Sequence, residues 1–313
     1  MNPAFSVIFF TTASGAGYGL LIVAGVLSIL GELPPDTPFA VATMGIALAA
    51  VTAGLLASTF HLGHPERAWR ALSQWRSSWL SREGVMAIAT YIPALGFGGS
   101  WILPGLVPGP RGAWATAMIV CALTTVFTTA MIYRSLKPIP QWYNGWVVAN
   151  YLLLGPMSGA VILSALVTTA SGTNFVLAAL VVSFICGAWA RKSAYWRTME
   201  QTGLPDAGSA LGLPGQRVRS VEWPHTERNY LLKEMGFAIG RKHAEKLRRF
   251  SVVTAFIAPL ALTVGAAFLT HSWAILATWI AAFSAVTGVV VERWLFFAEA
   301  QHSVTLYYKG SAD

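Results

Sequence analysis

The sequence predicts an all-α, polytopic integral membrane protein of about eight transmembrane helices, and three observations carry that reading. Of its 313 residues, 55% are hydrophobic and only 11% charged, with mean hydropathy +0.57, whereas soluble domains carry roughly 25% charged residues. The apolar residues fall in long blocks of about 20, the length that crosses a ~30 Å hydrocarbon core. The basic residues collect in the connections between alternate blocks, as membrane topology requires. The net charge of +8 therefore reads as topology and not as a nucleic-acid surface.

The expected spans are residues 5–30, 38–60, 84–106, 112–133, 146–170, 172–190, 251–270 and 272–291. They make one membrane domain over 1–313, with helices 1–4 within 5–133 and helices 5–8 within 146–291. No Lys or Arg precedes the first block, which runs uncharged to Glu32. That is too long for the apolar core of a cleavable signal, so it reads as a retained helix. Ser14, Gly15, Gly17 and Gly19 give helix 1 a face another helix can approach closely. Pro93 with Gly96, Gly98 and Gly99 softens helix 3, as Pro156 does helix 5 and Pro259 helix 7; membrane helices tolerate such breaks when neighbours satisfy the freed backbone groups. Cys121 and Cys186 lie inside apolar blocks without a CxxC pair, so they read as small buried residues rather than ligands. Trp101, Trp142, Trp146, Trp273 and Trp294 stand at span ends, where an interfacial aromatic belt is expected.

The connections set orientation. With the N-terminus on side A, that side holds Arg67, Arg70, Arg76 and Arg82 after helix 2, and Arg134 and Lys137 after helix 4. It also holds the long segment 191–249 and the tail with Arg293 and Lys309. Of the 21 Lys and Arg, only Arg111 falls on side B. Side A is therefore expected to be cytoplasmic, with both termini there, in a bacterial inner membrane. Segment 191–249 reads as a cytoplasmic loop. Its first half is rich in turn formers, and 227–250 looks helical, with Leu231, Met235, Ala238 and Ile239 on one face. An interfacial helix held by lipid headgroups and a docking surface for a partner both fit it. Arg134, Glu292 and Arg293 sit at predicted helix ends and are expected to snorkel or pair there.

The stretch most informative for chemistry is Ser58-Thr59-Phe60-His61-Leu62-Gly63-His64-Pro65-Glu66-Arg67-Ala68-Trp69, continuing to Ser81-Arg82-Glu83-Gly84. His61 ends helix 2 and Glu83 begins helix 3, so an imidazole and a carboxylate share one depth at the edge of a low-dielectric region. Burial raises a carboxyl pKa and a neighbouring cation lowers it, so such a pair can handle protons near neutral pH. The same residues also read as hydrogen-bonded boundary groups. The six histidines, at 61, 64, 225, 243, 271 and 302, all lie away from span centres. A two-haem wire is not expected. One haem near side A, from His61 or His64 with His243 or His302, is the remaining haem reading.

The residues His61-Leu62-Gly63, Pro65, Arg67-Ala68-Trp69 and Ser81-x-Glu83 resemble the membrane anchor subunit of dimethyl sulfoxide reductases, the DmsC family, related to NrfD and polysulfide reductase anchors. The Pro140-Gln141-Trp142-Tyr143 stretch, the length and the eight-helix layout agree. The resemblance implies a complex of a molybdopterin catalytic subunit, a ferredoxin-like subunit with four [4Fe–4S] clusters, and this lipid-embedded anchor. The anchor would exchange electrons and protons with menaquinone or ubiquinone and hold no haem or cluster itself. His61 and Glu83 match the family's quinol-site histidine and glutamate, and Gly63, Arg67 and Trp69 fall in the same motif as pocket-shaping residues. His64 departs from the family pattern and could replace or assist His61. Arg67 is expected to bias the ionisation of Glu83. Substrate and direction stay open between sulfoxide reduction and oxidation of sulfite or formate.

Rival readings are a secondary transporter, a purely structural anchor without a quinone site, and an intramembrane serine protease built on Ser158. The predicted span centres lack Asp, Glu, Lys and Arg, and Ser158 has no intramembrane His to activate it.

Overall fold

The structure is a computed structural model that describes residues 3–61, 64–201, 208, 211–216, 218, 221–222 and 243–307. Among these residues there are helices and no strands. Eight helices are long and apolar enough to cross a membrane. They are α1 (Phe5–Leu30), α2 (Thr37–Ala57), α3 (Trp79–Ile102), α4 (Arg111–Arg134), α5 (Gly145–Ser171), α6 (Phe175–Gln201), α7 (Ala244–Ala266) and α8 (His271–Ala298). A 3₁₀ turn, Ser58–His61, extends α2, and a 3₁₀ segment, Pro65–Gln74, carries most of the connection to α3.

The most enclosed helices are α1 and α5. Each carries two glycines one turn apart, Gly15 and Gly19 on α1 and Gly155 and Gly159 on α5, and the two faces interlock. A Cβ on Gly19 would stand 1.9 Å from the Gly155 carbonyl oxygen, and one on Gly159 would stand 2.1 Å from the Gly19 carbonyl carbon. No side chain fits there, and van der Waals contact between backbones holds the pair. Around this axis α2 and α4 pack on α1, α3 packs on α4, α6 and α8 pack on α5, and α7 lies against α8 and α6.

Local chemistry sets the helix ends and breaks. Asp36 caps α2 by accepting from Phe39 N at 2.9 Å, and Asn144 caps α5 by accepting from Trp146 N at 3.1 Å. In α7, Pro259 cannot donate to the carbonyl four residues back. The chain answers with a π turn over Val253–Ile257. Ser284 on α8 donates to the Thr254 carbonyl there at 2.8 Å.

Several expectations need correction. Helix α3 begins at Trp79 rather than 84, because Ser78 caps it and Arg82 pins the preceding connection, donating to Trp75 O at 3.0 Å and Arg76 O at 2.7 Å. Helix α6 runs to Gln201 and α7 starts at Ala244, so both ends of the expected loop 191–249 are helical. The helical face with Leu231, Met235, Ala238 and Ile239 lies outside the described residues. Lys192 and Arg293, counted as side-A loop charges, and Glu292, expected to snorkel or pair at a helix end, are all at most 3% exposed. Glu292 and Arg293 thus pair, one of the two outcomes expected of them, but they do so inside the bundle with Lys192 rather than at the interface. Trp101 and Trp142 are buried rather than interfacial: Trp101 packs edge-on to Phe39, and Trp142 stacks on Phe296. Cys186 is exposed on the outer surface of the helices.

Candidate functional site

The helix ends on side A enclose a cavity of about 490 Å³, within the ~300–1,000 Å³ common for small-molecule sites. Its walls come from the start of α1 (Val7, Phe10), the end of α2 (Leu55, Ser58) and the connection before α3 (Ala68, Ala71, Leu72). Leu80, Glu83 and Gly84 of α3, Ile132 and Tyr133 of α4, Trp142, and Phe297 of α8 complete them. Glu83 is the one ionisable carboxyl among them and Tyr133 the one phenol.

Glu83 lies on the second turn of α3, 4% exposed. Thr129 on α4 donates to its Oε1 at 2.5 Å, which leaves the other oxygen with unused acceptor capacity. The connection is clamped over it: Ser81 Oγ donates to the Ala71 carbonyl, so the Ala68, Ala71 and Leu72 side faces inward. Tyr133 has its ring edge-on to Trp142 at 5.3 Å and stacked on Tyr151 at 5.7 Å. Trp142 is fixed by donation from Nε1 to the Phe296 carbonyl at 3.0 Å. The result is a largely apolar chamber with one carboxyl, the Tyr133 phenol and the Ser58 hydroxyl, which donates to the Leu55 carbonyl, suited to a flat, lipophilic molecule with polar oxygens.

The motif residues divide. Glu83 and Ala68 line the cavity. His64, Arg67 and Trp69 lie on the outer face of the connection and do not line it. The His64 side chain is 68% exposed, with Nδ1 3.1 Å from Glu66. Arg67 is 3.6 Å from Glu66 rather than beside Glu83, and Trp69 is 67% exposed under the Arg70 guanidinium. Along the 3₁₀ segment, Ala68, Ala71 and Leu72 line the cavity, whereas Glu66, Arg67, Trp69 and Arg70 are exposed. His61 closes the turn that extends α2, on the cavity's side of the membrane, and Gly63 lies outside the described residues. Sequence reasoning missed Tyr133 and Thr129. Neither sits in the motif, and only their helical spacing on α4, one turn apart, could have placed them together.

A second group of charges was foreseen only in part: pairing at Glu292 and Arg293 was expected, and the partnership with Lys192 was missed. Lys192 on α6 and Arg293 on α8 both pair with Glu292, Arg293 Nε lying 3.1 Å from Oε2. The Lys192 ammonium sits over the Tyr195 ring at 4.2 Å, and the Arg293 guanidinium over Tyr151 at 4.0 Å. Nearer the surface, Arg248 of α7 donates to Glu299 at 2.8 Å and pairs with Glu200. These bonds tie α6, α7 and α8 together.

Comparison with known proteins bears on this geometry. The family model described as DMSO reductase anchor subunit (DmsC) matches residues 1–298. The protein is 33% identical to the C subunit of sulfite dehydrogenase from Allochromatium vinosum, over the full length of both. It is 28% identical to the YnfH polypeptide of an anaerobic dimethyl sulfoxide reductase from Escherichia coli, over 58% of this protein and 64% of that one. It is also 32% identical to the C polypeptide of the E. coli anaerobic dimethyl sulfoxide reductase, over 36% of this protein and 40% of that one.

Proposed function

The chain belongs to the DmsC family of membrane anchor subunits, and from that premise we propose that it is the quinone-reactive anchor of a three-subunit molybdopterin oxidoreductase. The observation that carries this reading is the side-A cavity: apolar, large enough for a quinone head group, and supplied with the buried Glu83 carboxyl. Oxidation of a quinol releases two electrons and two protons. Glu83 accepts a proton, with His61 at the end of α2 as the second proton-handling group. Thr129 holds the carboxyl in place. The electrons leave to a cluster in a ferredoxin-like partner docked on side A, beside the exposed Arg67, Trp69 and Trp75. The anchor itself carries no haem or cluster in this reading, and the quinone is menaquinone or ubiquinone.

Full-length similarity to a sulfite dehydrogenase subunit favours sulfite as the electron donor, and the same steps then run in reverse: the cluster passes electrons to the quinone, and Glu83 and His61 return the two protons to it. The partial similarity to sulfoxide reductase polypeptides supports the reverse direction as second reading. The decisive experiment purifies the complex from its native membrane and follows quinone reduction with sulfite, and quinol oxidation with a sulfoxide. Sulfite-dependent quinone reduction that a head-group inhibitor blocks is the expected result. Failure to bind quinone or inhibitor would sink the assignment. The protein spans the membrane several times; the basic residues support an inner-membrane setting with cytoplasmic termini. A C-terminal reporter active only after export should stay silent, and its activity would reverse the orientation.

A further inference from the structure

Between α1, α5 and α8 lies a second cavity of about 20 Å³, room for one water molecule. Thr12, Tyr151, Ser158 and Arg293 are among its walls. Ser158 already donates to the Leu154 carbonyl at 2.8 Å. Thr12 Oγ1 and the Tyr151 hydroxyl are buried and make no complete hydrogen bond within the protein. Two unmet hydroxyls beside a guanidinium, around a space of this size, are costly unless a water fills it. The Tyr151 hydroxyl also lies within reach of the Arg293 guanidinium and of the Tyr133 hydroxyl, so it can accept from Arg293 as well as from a water, and Tyr133 leads on to the larger cavity that it lines.

We propose that Thr12, Tyr151 and Arg293 hold one buried water, and that it orients a series of donors through Tyr151 and Tyr133 onto the quinone. Direction follows from the donor inventory. A guanidinium only donates, so the water accepts from Arg293 and gives its two hydrogens to Tyr151 and Thr12. With its oxygen satisfied, Tyr151 donates to Tyr133, and Tyr133 donates into the pocket. Glu292 and Lys192 hold Arg293 in place. The pocket then presents an acceptor, Glu83, on one wall and a donor, Tyr133, on another. A quinol gives its proton to the first while its second oxygen is held by the second. The pocket end of this donor series rests on the quinone reading, whereas the water site does not.

Two measurements on the assembled complex test it. A map that resolves ordered water should show one peak touching Thr12, Tyr151 and Arg293, and an empty cavity overturns the water site. Infrared difference spectra with isotope-labelled quinone should show one carbonyl stretch lowered by a hydrogen bond. In Tyr133→Phe that shift should vanish, and in Tyr151→Phe and Thr12→Val it should shrink, the rings and volumes being kept. The quinol KM should rise roughly tenfold in Tyr133→Phe, the scale of one lost hydrogen bond, with kcat changing less. A wild-type complex that binds no quinone overturns the functional reading and the pocket end of the donor series together. Bound quinone with the same carbonyl frequency in Tyr151→Phe as in wild type overturns the donor series alone.

Discussion

Two glutamates lie buried toward the side-A ends of their helices, and their surroundings differ in kind. Glu292 is fully enclosed, with Lys192 and Arg293 both paired to it and aromatic rings over the cations. Glu83 is nearly as buried, but one threonine hydroxyl is its hydrogen-bond partner and its other face opens on a cavity. A carboxylate held between two cations is committed to its ion pairs and serves to join α6 to α8. A carboxyl with one partner and adjacent space can take and release a proton. Burial alone does not mark a reactive group; unused hydrogen-bonding capacity beside a void does.

The largest expected effect lies on the enclosed side. Glu292→Gln leaves two buried cations without their anion, a loss of about 3–5 kcal/mol, read as a sharp fall in assembled complex and in melting temperature in detergent. Lys192→Met should cost less, since it leaves a balanced Glu292–Arg293 pair. On the open side the pattern should invert. Glu83→Gln should melt like wild type while quinone-linked turnover drops ~tenfold or more, the scale of losing a positioned proton-transfer group. If both glutamates lower stability equally, the contrast between them fails.

A smaller effect separates the two histidines of the motif. His61→Ala should slow quinone-linked turnover. His64→Ala should leave it close to wild type, because His64 points outward and pairs with Glu66. The reverse result would transfer the proton-handling role to His64. The smallest effect concerns the turn that follows α8. Burial lowers the His302 pKa, so the folded state binds a proton less readily than the unfolded one. The stability His302 contributes is present above its unfolded pKa of about 6.5 and is lost as pH falls through the lowered value. Its Nδ1 accepts from Val304 N at 3.0 Å, and Ser303 N donates to Pro138 O at 2.9 Å. Amide exchange over 301–306 should therefore quicken on mild acidification in wild type and change little with pH in His302→Gln.

Much of the architecture was legible because membrane spans declare themselves by length. The bounds of α1, α4 and α5 fall within a residue of those expected. The errors came where charge was taken as the end of a span. Lys192 and Arg293 read as loop residues, yet a cation whose partner is on another helix can stay inside, and no single segment displays that partner. The site was half legible. Glu83 stood out as a carboxylate at a helix start, and it lines a cavity. Arg67, His64 and Trp69 were grouped with it by adjacency along the sequence, and the 3₁₀ segment turns them the other way. Tyr133, Thr129 and Phe297 reach the cavity or Glu83 from helices 46 or more residues beyond it, a proximity that packing alone creates.

The interlocked glycines of α1 and α5 have a consequence for how the protein is made. Helix α1 can pack on α2 and α4 as they insert, but its Gly15 and Gly19 face has its partner on α5 and stays unseated until α5 is in the membrane. The cavity needs Trp142, from the connection before α5, and Phe297, near the end of α8, to be walled. A nascent polypeptide therefore has no enclosed site until its last helix arrives. Copies in the bilayer that lack α8 therefore have no finished cavity.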